Sequence, residues 1–321
     1  KPVLNFSAME LNSSNRGINL FGNYWNIKGL IIEYAGDNGM LVGGSHNTVE
    51  NCELRYNKDS GLQIARYAST VTSINDWPSY NLILNCYSHD NFDTDNGEDA
   101  DGFACKLTAG YGNVFRGCIS AYNVDDGWDL YTKSDTGAIG PVTLENCIAY
   151  NNGAVSNGSS TTNSDGNGFK LGGEDIKVNH IVKRCVAFNN KKHGFTFNSN
   201  PGSISLTNCT SYNNGTKSGS NFAFDEGTHS FTNLLSYKAS SSDKTSGTDV
   251  SGTNVWWKNS KSTNAKGLVC SDADFASLSA SVTRNSDGSP NLGSFLKLVQ
   301  GSDLVNAGTP SGTDIGAVES Y

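Results

Sequence analysis

The segment NVDDGWDLY, residues 123–131, carries a dense group of side chains that could do chemistry. It places Asp125, Asp126 and Asp129 within five positions, around a glycine and a tryptophan. Carboxylates this close repel one another unless a positive charge lies among them. Ca²⁺ prefers such oxygen ligands, so the segment indicates part of a cation site. The alternative for any single aspartate is an ordinary turn cap.

An internal repeat shows which segments must lie beside these aspartates. VENCELRYNKDSGLQI, FRGCISAYNVDDGWDL and VKRCVAFNNKKHGFTF share Cys, then Asn five residues later, Gly nine residues later, and an apolar-x-apolar triplet. Units stepping by roughly 22 to 26 residues cannot bury a core alone and must stack on their neighbours. We therefore predict an all-β fold, a right-handed parallel β-helix with one repeat per coil.

Two slots of the repeat are predicted to point inward. Cysteine shares its slot with leucine, so we expect the cysteines to be free, buried thiols packing as small hydrophobes. The asparagines are expected to form a ladder whose side-chain amides bond from coil to coil. The positions are Cys52, Cys86, Cys118, Cys147, Cys185 and Cys209 for the first slot, and Asn57, Asn91, Asn123, Asn152, Asn190 and Asn214 for the second.

Aligning the coils brings distant residues together. The middle residue of the apolar-x-apolar triplet is expected to face solvent, and there Asp129 and Lys170 fall on adjacent coils about 4.8 Å apart. The residue before the glycine places Asp101 beside Asp126. Together with Asp125, four carboxylates converge, which favours Ca²⁺ over turn capping.

Lys170 has two interpretations. It is either a surface lysine paired with Asp129, or a general base whose amine is released when Ca²⁺ occupies the aspartates. The second predicts activity that is best at alkaline pH.

Two insertions enter the repeat between the asparagine and glycine slots. Residues 91–101 and 151–167 should protrude at the same corner and wall a cleft beside the aspartates. The first also resembles a calcium loop, in Asp93, Asp95 and Asp99, although acidic loops are usually just solvated.

Composition limits the partners. The net charge of −8 over 321 residues argues against nucleic acid and anionic membrane as partners, and no apolar run approaches a membrane span. We expect one domain over residues 1–321 and a monomer, with irregular last coils, a short helix and a C-terminal cap from about residue 238. SDADFASLSASV is predicted to begin the helix, and GSFLKLVQGSDLVNAG to form a final strand and cap.

The motifs EDADGFACK, NVDDGWDLY and DGNGFKLGG resemble those of the pectate lyases of polysaccharide lyase family nine, and the similarity runs to the closing GTDIGAVES. The resemblance implies that Asp101, Asp125, Asp126 and Asp129 bind Ca²⁺ and that Lys170 is the catalytic base. Family members usually carry more chain before the first coil, so we expect an N-terminal portion, and a signal peptide, outside this sequence. The chain would then be one module of a larger secreted enzyme.

The resemblance further implies β-elimination on homogalacturonan (pectin, polygalacturonate), with unsaturated products. Lys106 and Lys133 lie near the cluster and either bind flanking substrate carboxylates or are ordinary surface lysines. Trp128 follows Gly127 in an inward slot and is predicted to be core. The alternatives are a rhamnogalacturonan lyase with the same chemistry, a polygalacturonase-like glycoside hydrolase that needs no metal, and a non-catalytic binding module.

Overall fold

The computed structural model describes residues 1–216 and 218–320, which form a parallel β-helix of three rows of short strands. The first row comprises Ile18–Leu20, Met40–Val42, Leu62–Ile64, Phe103–Cys105, Trp128–Asp129, Phe169–Lys170, Phe195–Thr196 and the start of Phe222–Thr232. The second row comprises Asn26–Lys28, Thr48–Glu50, Leu82–Leu84, Val114–Arg116, Thr143–Glu145, Ile181–Lys183, Ser205–Thr207 and the end of Phe222–Thr232. The third row comprises Val3–Asn5, Ile31–Glu33, Glu53–Arg55, Tyr87–His89, Ile119–Ala121, Ile148–Tyr150, Val186–Phe188, Thr210–Asn214 and Leu235–Ala239.

Each coil contributes one strand to each row, and each strand pairs in parallel with the equivalent strand of the next coil. In the first row, for example, Phe103 lies opposite Trp128, and Trp128 lies opposite Phe169. The sequence repeat therefore predicted the strand register correctly. Because the register is fixed, side chains in equivalent slots form continuous columns along the solenoid.

A column of aromatic rings fills the interior beneath the first row. The rings of Phe103, Trp128, Phe169, Phe195 and Phe222 stack in succession, with centroids 5.0, 4.8, 4.7 and 5.2 Å apart. All five side chains are fully buried, which confirms the prediction that Trp128 is core. Each buried ring contributes about 2–3 kcal/mol of burial free energy, and the stack holds the coils at a fixed spacing.

The cysteine slot also points inward. All eight cysteines are free and buried, as predicted for the thiols of the repeat. Seven of them, all but Cys270, belong to one hydrophobic core with the aromatic column, so their role is packing.

The asparagine ladder forms as predicted. The Nδ2 of Asn123 donates to Oδ1 of Asn152 at 3.0 Å, and the Nδ2 of Asn152 donates to Oδ1 of Asn190 at 3.0 Å. Each Oδ1 also accepts the backbone N–H of the preceding ladder residue, as in Asn123 to Asn152 at 3.2 Å. The ladder thus satisfies the buried backbone of the corner that carries the two insertions.

A second asparagine ladder, before the strands of the second row, was not predicted from the sequence. Asn47, Asn81 and Asn113 each precede a strand of the second row, and the backbone N–H of Asn81 donates to Oδ1 of Asn113 at 3.1 Å. His180 occupies the same slot farther along, where its Nδ1 accepts the N–H of Val142 at 3.1 Å. The signal was present in the sequence as an asparagine immediately before three successive strands of the second row.

The C-terminal segment runs back along the outside of the third row. The strand Lys244–Asp249 and the 3-10 turn Val250–Gly252 extend the last coil, and Trp256–Lys258, Lys261–Thr263 and Val269–Cys270 form a small antiparallel sheet. A single 3-10 turn, Asp272–Asp274, follows Ser271, whose side chain and that of Asp274 cap it reciprocally. The pair Thr283–Arg284 and Pro290–Asn291 comes next, while Ile74–Asp76 is a 3-10 turn in an earlier coil.

The final strand predicted within residues 293–308 does not form. This stretch forms turns and isolated bridges, its Phe295 packs edge-on against Phe188 of the third row with ring centroids 4.8 Å apart, and Leu298 lies in the same apolar cluster. The physical reason is that the outward side chains of the third row are apolar in the later coils, at Ile119, Ile148, Val186 and Phe188, so this face offers Phe295 and Leu298 an apolar surface to pack on. The guanidinium group of Arg284 donates to the backbone carbonyl of Cys86 at 2.7 Å, which links the C-terminal segment to the coils. No helix in the described ranges is long and apolar enough to cross a membrane.

Candidate active site

Adjacent strands of the first row place Asp129 and Lys170 side by side. The two residues are register partners in the parallel pairing of Trp128–Asp129 with Phe169–Lys170. The prediction that they are immediate neighbours is therefore confirmed. Their position follows from the aromatic column, because burying Trp128 and Phe169 turns the next residue of each strand outward.

The prediction that these outward positions face solvent is wrong at the site. Asp129 is only 3% exposed and Ala104, its register partner in the preceding coil, is fully buried. The reason is that long side chains lie over this part of the row, since the ammonium group of Lys106 contacts Asp129 directly. The site is thus a desolvated floor rather than an open surface.

Three of the predicted aspartates converge. One carboxylate oxygen from each of Asp101, Asp125 and Asp126 lies within 4.8 Å of the other two. Asp101 and Asp126 hold equivalent places before the glycines of successive coils, and the backbone N–H of Asp126 donates to Oδ1 of Asp101 at 3.2 Å. Asp129 lies beside this group and is connected to Asp101 through Lys106, whose Nζ is 2.9 Å from Asp101 and 3.0 Å from Asp129.

Hydrogen bonds hold one side of these carboxylates and leave the other side open. Oδ1 of Asp125 accepts the N–H of Asp165 at 2.6 Å, and Oδ1 of Asp126 accepts the N–H of Asn167 at 2.6 Å. Among the described residues, Oδ1 of Asp129 is buried without a hydrogen-bond partner, and the buried Oδ2 of Asp126 has no hydrogen bond and only the ammonium group of Lys170 beside it, at 3.2 Å. Buried carboxylate oxygens left over in this way are suited to a hard cation such as Ca²⁺.

The electrostatics of the cluster are unfavourable without such a cation. Burial raises the pKa of Asp101 well above its usual range, and the charges of Asp129 and Asp126 raise it further. Burial likewise raises the pKa of Asp125 and of Asp126. Burial acts in the same direction on Asp129, but Lys170 and Lys106 outweigh it and hold the pKa of this carboxyl below its usual value.

Lys170 is held by the same carboxylates. Its Nζ lies 3.2 Å from Oδ2 of Asp126 and 5.6 Å from the ring centroid of Tyr131. Burial lowers the pKa of Lys170, but the negative charges of Asp129 and Asp126 outweigh burial, so the pKa stands above its usual value. A base at this position needs those charges to be neutralised first.

The two insertions wall a cleft over these residues, as predicted. Thr161 Oγ1 donates to the carbonyl of Gly97 at 3.1 Å, and Asn163 Nδ2 donates to the carbonyl of Asn96 at 3.1 Å, so the loops touch. The cleft has a volume of about 540 Å³. Its lining includes Glu98, Asp99, Lys106, Asp125, Asp129, Tyr131, Lys133, Asn163, Asp165 and Lys170.

The two lysines proposed to bind substrate differ in position. Lys133 is exposed at the cleft, where its side chain is accessible. The side chain of Lys106 is 9% exposed, and its ammonium group is occupied by Asp101 and Asp129. This pairing opposes direct binding of a substrate carboxylate by Lys106.

The loop that resembles a calcium site is held by turn chemistry. Oδ2 of Asp93 accepts the backbone N–H groups of Glu98 and Asp99, each at 3.1 Å. In the described part of the chain, Asp93, Asp95 and Asp99 do not converge as the three carboxylates of the main cluster do. Among the residues that the structure describes, Oδ1 of Asp93 is buried without a hydrogen-bond partner, but a single carboxylate oxygen is not the convergent set that a second cation would need.

Two residues of the site were missed by sequence reasoning. Asn167 precedes Gly168 in the same slot as Asp101 and Asp126, and its Nδ2 also donates to Asp126, at 2.9 Å. Its place before the glycine, in the slot that holds aspartates in the two preceding coils, was the signal in the sequence that could have identified it. Tyr131 carried no such signal, because its ring position depends on its hydroxyl bond to Glu174 at 3.1 Å.

The chain is similar to known polysaccharide-degrading proteins. The family described as "Pel9A-like, right handed beta helix region" matches residues 1–233. "Pectate lyase L" of Paenibacillus polymyxa (strain SC2) is 62% identical over 317 residues, covering 99% of this chain and 70% of that protein. "Pectate lyase L" of Thermoclostridium stercorarium is 44% identical over 281 residues, covering 86% of this chain and 22% of that protein.

Solved structures agree with the fold. The crystal structure of pectate lyase Pel9A superposes with a TM-score of 0.82 at 33% identity, covering 99% of this chain and 77% of that one. A rhamnogalacturonan lyase superposes with a TM-score of 0.56 at 19% identity, covering 91% of this chain and 84% of that one, which shows a shared fold alone.

Proposed function

Because the chain belongs to the Pel9A-like right-handed β-helix family, we propose that it is a calcium-dependent pectate lyase that cleaves homogalacturonan by β-elimination. Its relatives are named pectate lyases, which places the activity among the polysaccharide lyases. The calcium dependence, the base and the products are inferred from the site.

The observation that carries the proposal is the position of Lys170 against the aspartates. Its amine is in register with Asp129 and 3.2 Å from Asp126, on the floor of a cleft with room for a saccharide. A hydrolase would need carboxylates separated across the scissile bond, with one able to act as acid. Carboxylates gathered on one side of a lysine instead favour a cation and a basic amine.

Asp101, Asp125, Asp126 and Asp129 would hold the Ca²⁺ ion. The atoms that fit this role are Oδ1 of Asp129, which is buried without a hydrogen-bond partner, and Oδ2 of Asp126, which has only the ammonium group of Lys170 beside it. When bound, Ca²⁺ supplies Lewis-acid chemistry, drawing charge from the substrate uronate carboxylate and making the neighbouring C5 proton more acidic.

Lys170 is the proposed general base that removes the C5 proton. Its neutral amine takes the C5 proton onto Nζ, the electron pair of that bond forms the C4–C5 double bond, and the C4–O glycosidic bond breaks with its electrons on the leaving oxygen. The carboxylates that raise the pKa of Lys170 would no longer do so once neutralised, which leaves the amine available at alkaline pH.

The remaining residues of the cleft would bind substrate and exclude water. Lys133 is exposed at its rim and would bind a flanking uronate carboxylate. The two loop insertions shield the floor from water, which strengthens the interactions of the charged groups there. The polymeric substrate is too large to enter cells, so we propose that the enzyme acts after secretion, as a monomer.

Product analysis by mass spectrometry tests the proposal. Elimination adds no water, so each cleavage of polygalacturonate should give a new non-reducing end that is one water lighter than the hydrolytic end. Saturated products would contradict the proposed chemistry. Cleavage of rhamnogalacturonan in place of polygalacturonate would keep the chemistry and change the substrate.

A further inference from the structure

Lys106 is a buried lysine at the centre of the carboxylate cluster. Its Nζ lies 2.9 Å from Oδ2 of Asp101 and 3.0 Å from Oδ2 of Asp129, and the residue is 7% exposed. Two carboxylates from successive coils therefore share one ammonium group. A buried lysine is found with such partners because an unpaired charge in this environment is strongly unfavourable.

This contact determines which oxygens stay available. Because Oδ2 of Asp129 is bound to Lys106, its Oδ1 is the atom left buried without a partner. Oδ2 of Asp101 is likewise occupied, by Lys106 and by the hydroxyl of Ser60 at 3.1 Å. The ammonium group of Lys106 thus sets the orientation of two carboxylates relative to Oδ2 of Asp126, which Lys106 does not contact and which pairs with Lys170.

Lys106 also sets the charge of the site. Its ammonium group offsets one of the four carboxylate charges, whether or not the amine of Lys170 is protonated. Without Lys106 the same site would be one unit more negative, which favours a trivalent cation relative to a divalent one. Since these groups are buried, a single charge acts on a bound ion with little screening.

We propose that Lys106 is a positioning residue of the cation site: its ammonium group stays bound to Asp101 and Asp129 when the cation enters, aligning both carboxylates and matching the site to a divalent ion. The inference rests on the proposed function, which supplies the cation. It assigns Lys106 to the site itself rather than to the substrate.

Cation selectivity in K106M is the direct test. Tb³⁺ and Ca²⁺ are similar in size, so a change in site geometry weakens both, whereas a change in site charge alters their ratio. Tb³⁺ luminescence with Ca²⁺ competition should show that K106M raises the affinity ratio of Tb³⁺ to Ca²⁺ about tenfold over the unmodified protein. K183M removes an exposed lysine of the second row and should leave the ratio unchanged.

The outcomes separate this inference from the proposed function. If K106M binds both ions more weakly at an unchanged ratio, Lys106 acts on the geometry of the site and not on its match to a divalent charge, and the inference as stated is overturned. If the unmodified protein binds neither ion, the cation site itself fails, and this inference with it.

A crystal structure of the unmodified protein with Tb³⁺ covers the case in which K106M does not fold. The expected structure keeps Nζ of Lys106 within hydrogen-bond distance of Oδ2 of both Asp101 and Asp129, with the ion on Oδ1 of Asp129. An ammonium group turned into the cleft, with the ion on Oδ2 of Asp129, would overturn the proposal.

Discussion

Lys170 and Asp126, 44 residues apart in sequence, meet with Nζ 3.2 Å from Oδ2 across adjacent coils. The contact exists because every coil repeats the same register, so a residue before the glycine of one coil reaches the outward residue of the next. In a structure of this regularity, a catalytic arrangement needs only a few outward substitutions on a fixed scaffold.

Replacing the proposed base should greatly slow elimination without unfolding the protein. We expect K170M to lower kcat on polygalacturonate by about 10²–10⁴-fold, the range for loss of a general base. The measurement is the initial rate of unsaturated product formation, with thermal unfolding as the check on folding. K183A is the matched control and should retain full activity. Activity of K170M close to that of the unmodified protein would contradict the assignment of the base.

Removing a cation ligand should weaken Ca²⁺ binding before it affects folding. D129N removes one negative charge, and because the remaining oxygen should face Lys106, it places an NH2 group where the buried Oδ1 has no hydrogen-bond partner. We expect the Ca²⁺ dissociation constant to rise roughly 100-fold, consistent with the loss of a unit charge near a divalent ion in a partly desolvated site. Isothermal titration calorimetry measures this directly. D135N, on the exposed segment after the site, serves as the control. An unchanged constant in D129N would remove Asp129 from the site.

The asparagine ladder should be a major contributor to stability. Asn123 both accepts from Asn91 at 2.8 Å and donates to Asn152 at 3.0 Å, and it is fully buried. N123A leaves buried donors and acceptors on both neighbours, so we expect a loss of about 3 kcal/mol in the free energy of unfolding. Urea denaturation gives the value, with N179A at an exposed position as control. A loss no larger than that of N179A would mean that the ladder is not needed for stability.

Acid should destabilise the fold through His180. Burial lowers the pKa of this imidazole from 6.5 to about 3. Below pH 6.5 the unfolded chain binds a proton that the folded chain does not, so the stability from this residue is present above pH 6.5 and is lost progressively down to about pH 3. The loss at pH 5 should be about 2 kcal/mol.

Asparagine is the natural replacement, because Asn47, Asn81 and Asn113 occupy the same slot in other coils. The difference in unfolding free energy between H180N and the unmodified protein, measured by urea denaturation, should shift in favour of H180N by about 2 kcal/mol between pH 7 and pH 5. A difference that does not vary with pH would exclude His180 as the source.

The sequence was sufficient for the features that repeat. Cys118 and Asn123 recur at fixed spacing, and that spacing gives the coil, the register and hence the pairing of Asp129 with Lys170. These features are predictable because equivalent slots in a solenoid have the same surroundings in every coil.

Features that occur once were not predictable in the same way. The burial of Lys106 depends on the rotamers of two aspartates that it bridges, and nothing in the alignment distinguishes it from an exposed lysine. The C-terminal segment has no repeat. Phe295 packs on the outer face of the third row, and this position depends on a surface that forms only when the coils are stacked. Asn167 lies between these two cases. The alignment of the coils identified its slot, but its hydrogen bond to Asp126 could not be predicted from the sequence.

The most direct test of the account is the near-ultraviolet absorbance of polygalacturonate treated with the protein at alkaline pH, with chelator and after Ca²⁺ is restored. The account predicts no rise with chelator and a steady rise, from the new carbon–carbon double bonds, once Ca²⁺ is present. A rise of equal rate in chelator would contradict the cation site, and new reducing ends without any rise in absorbance would contradict elimination.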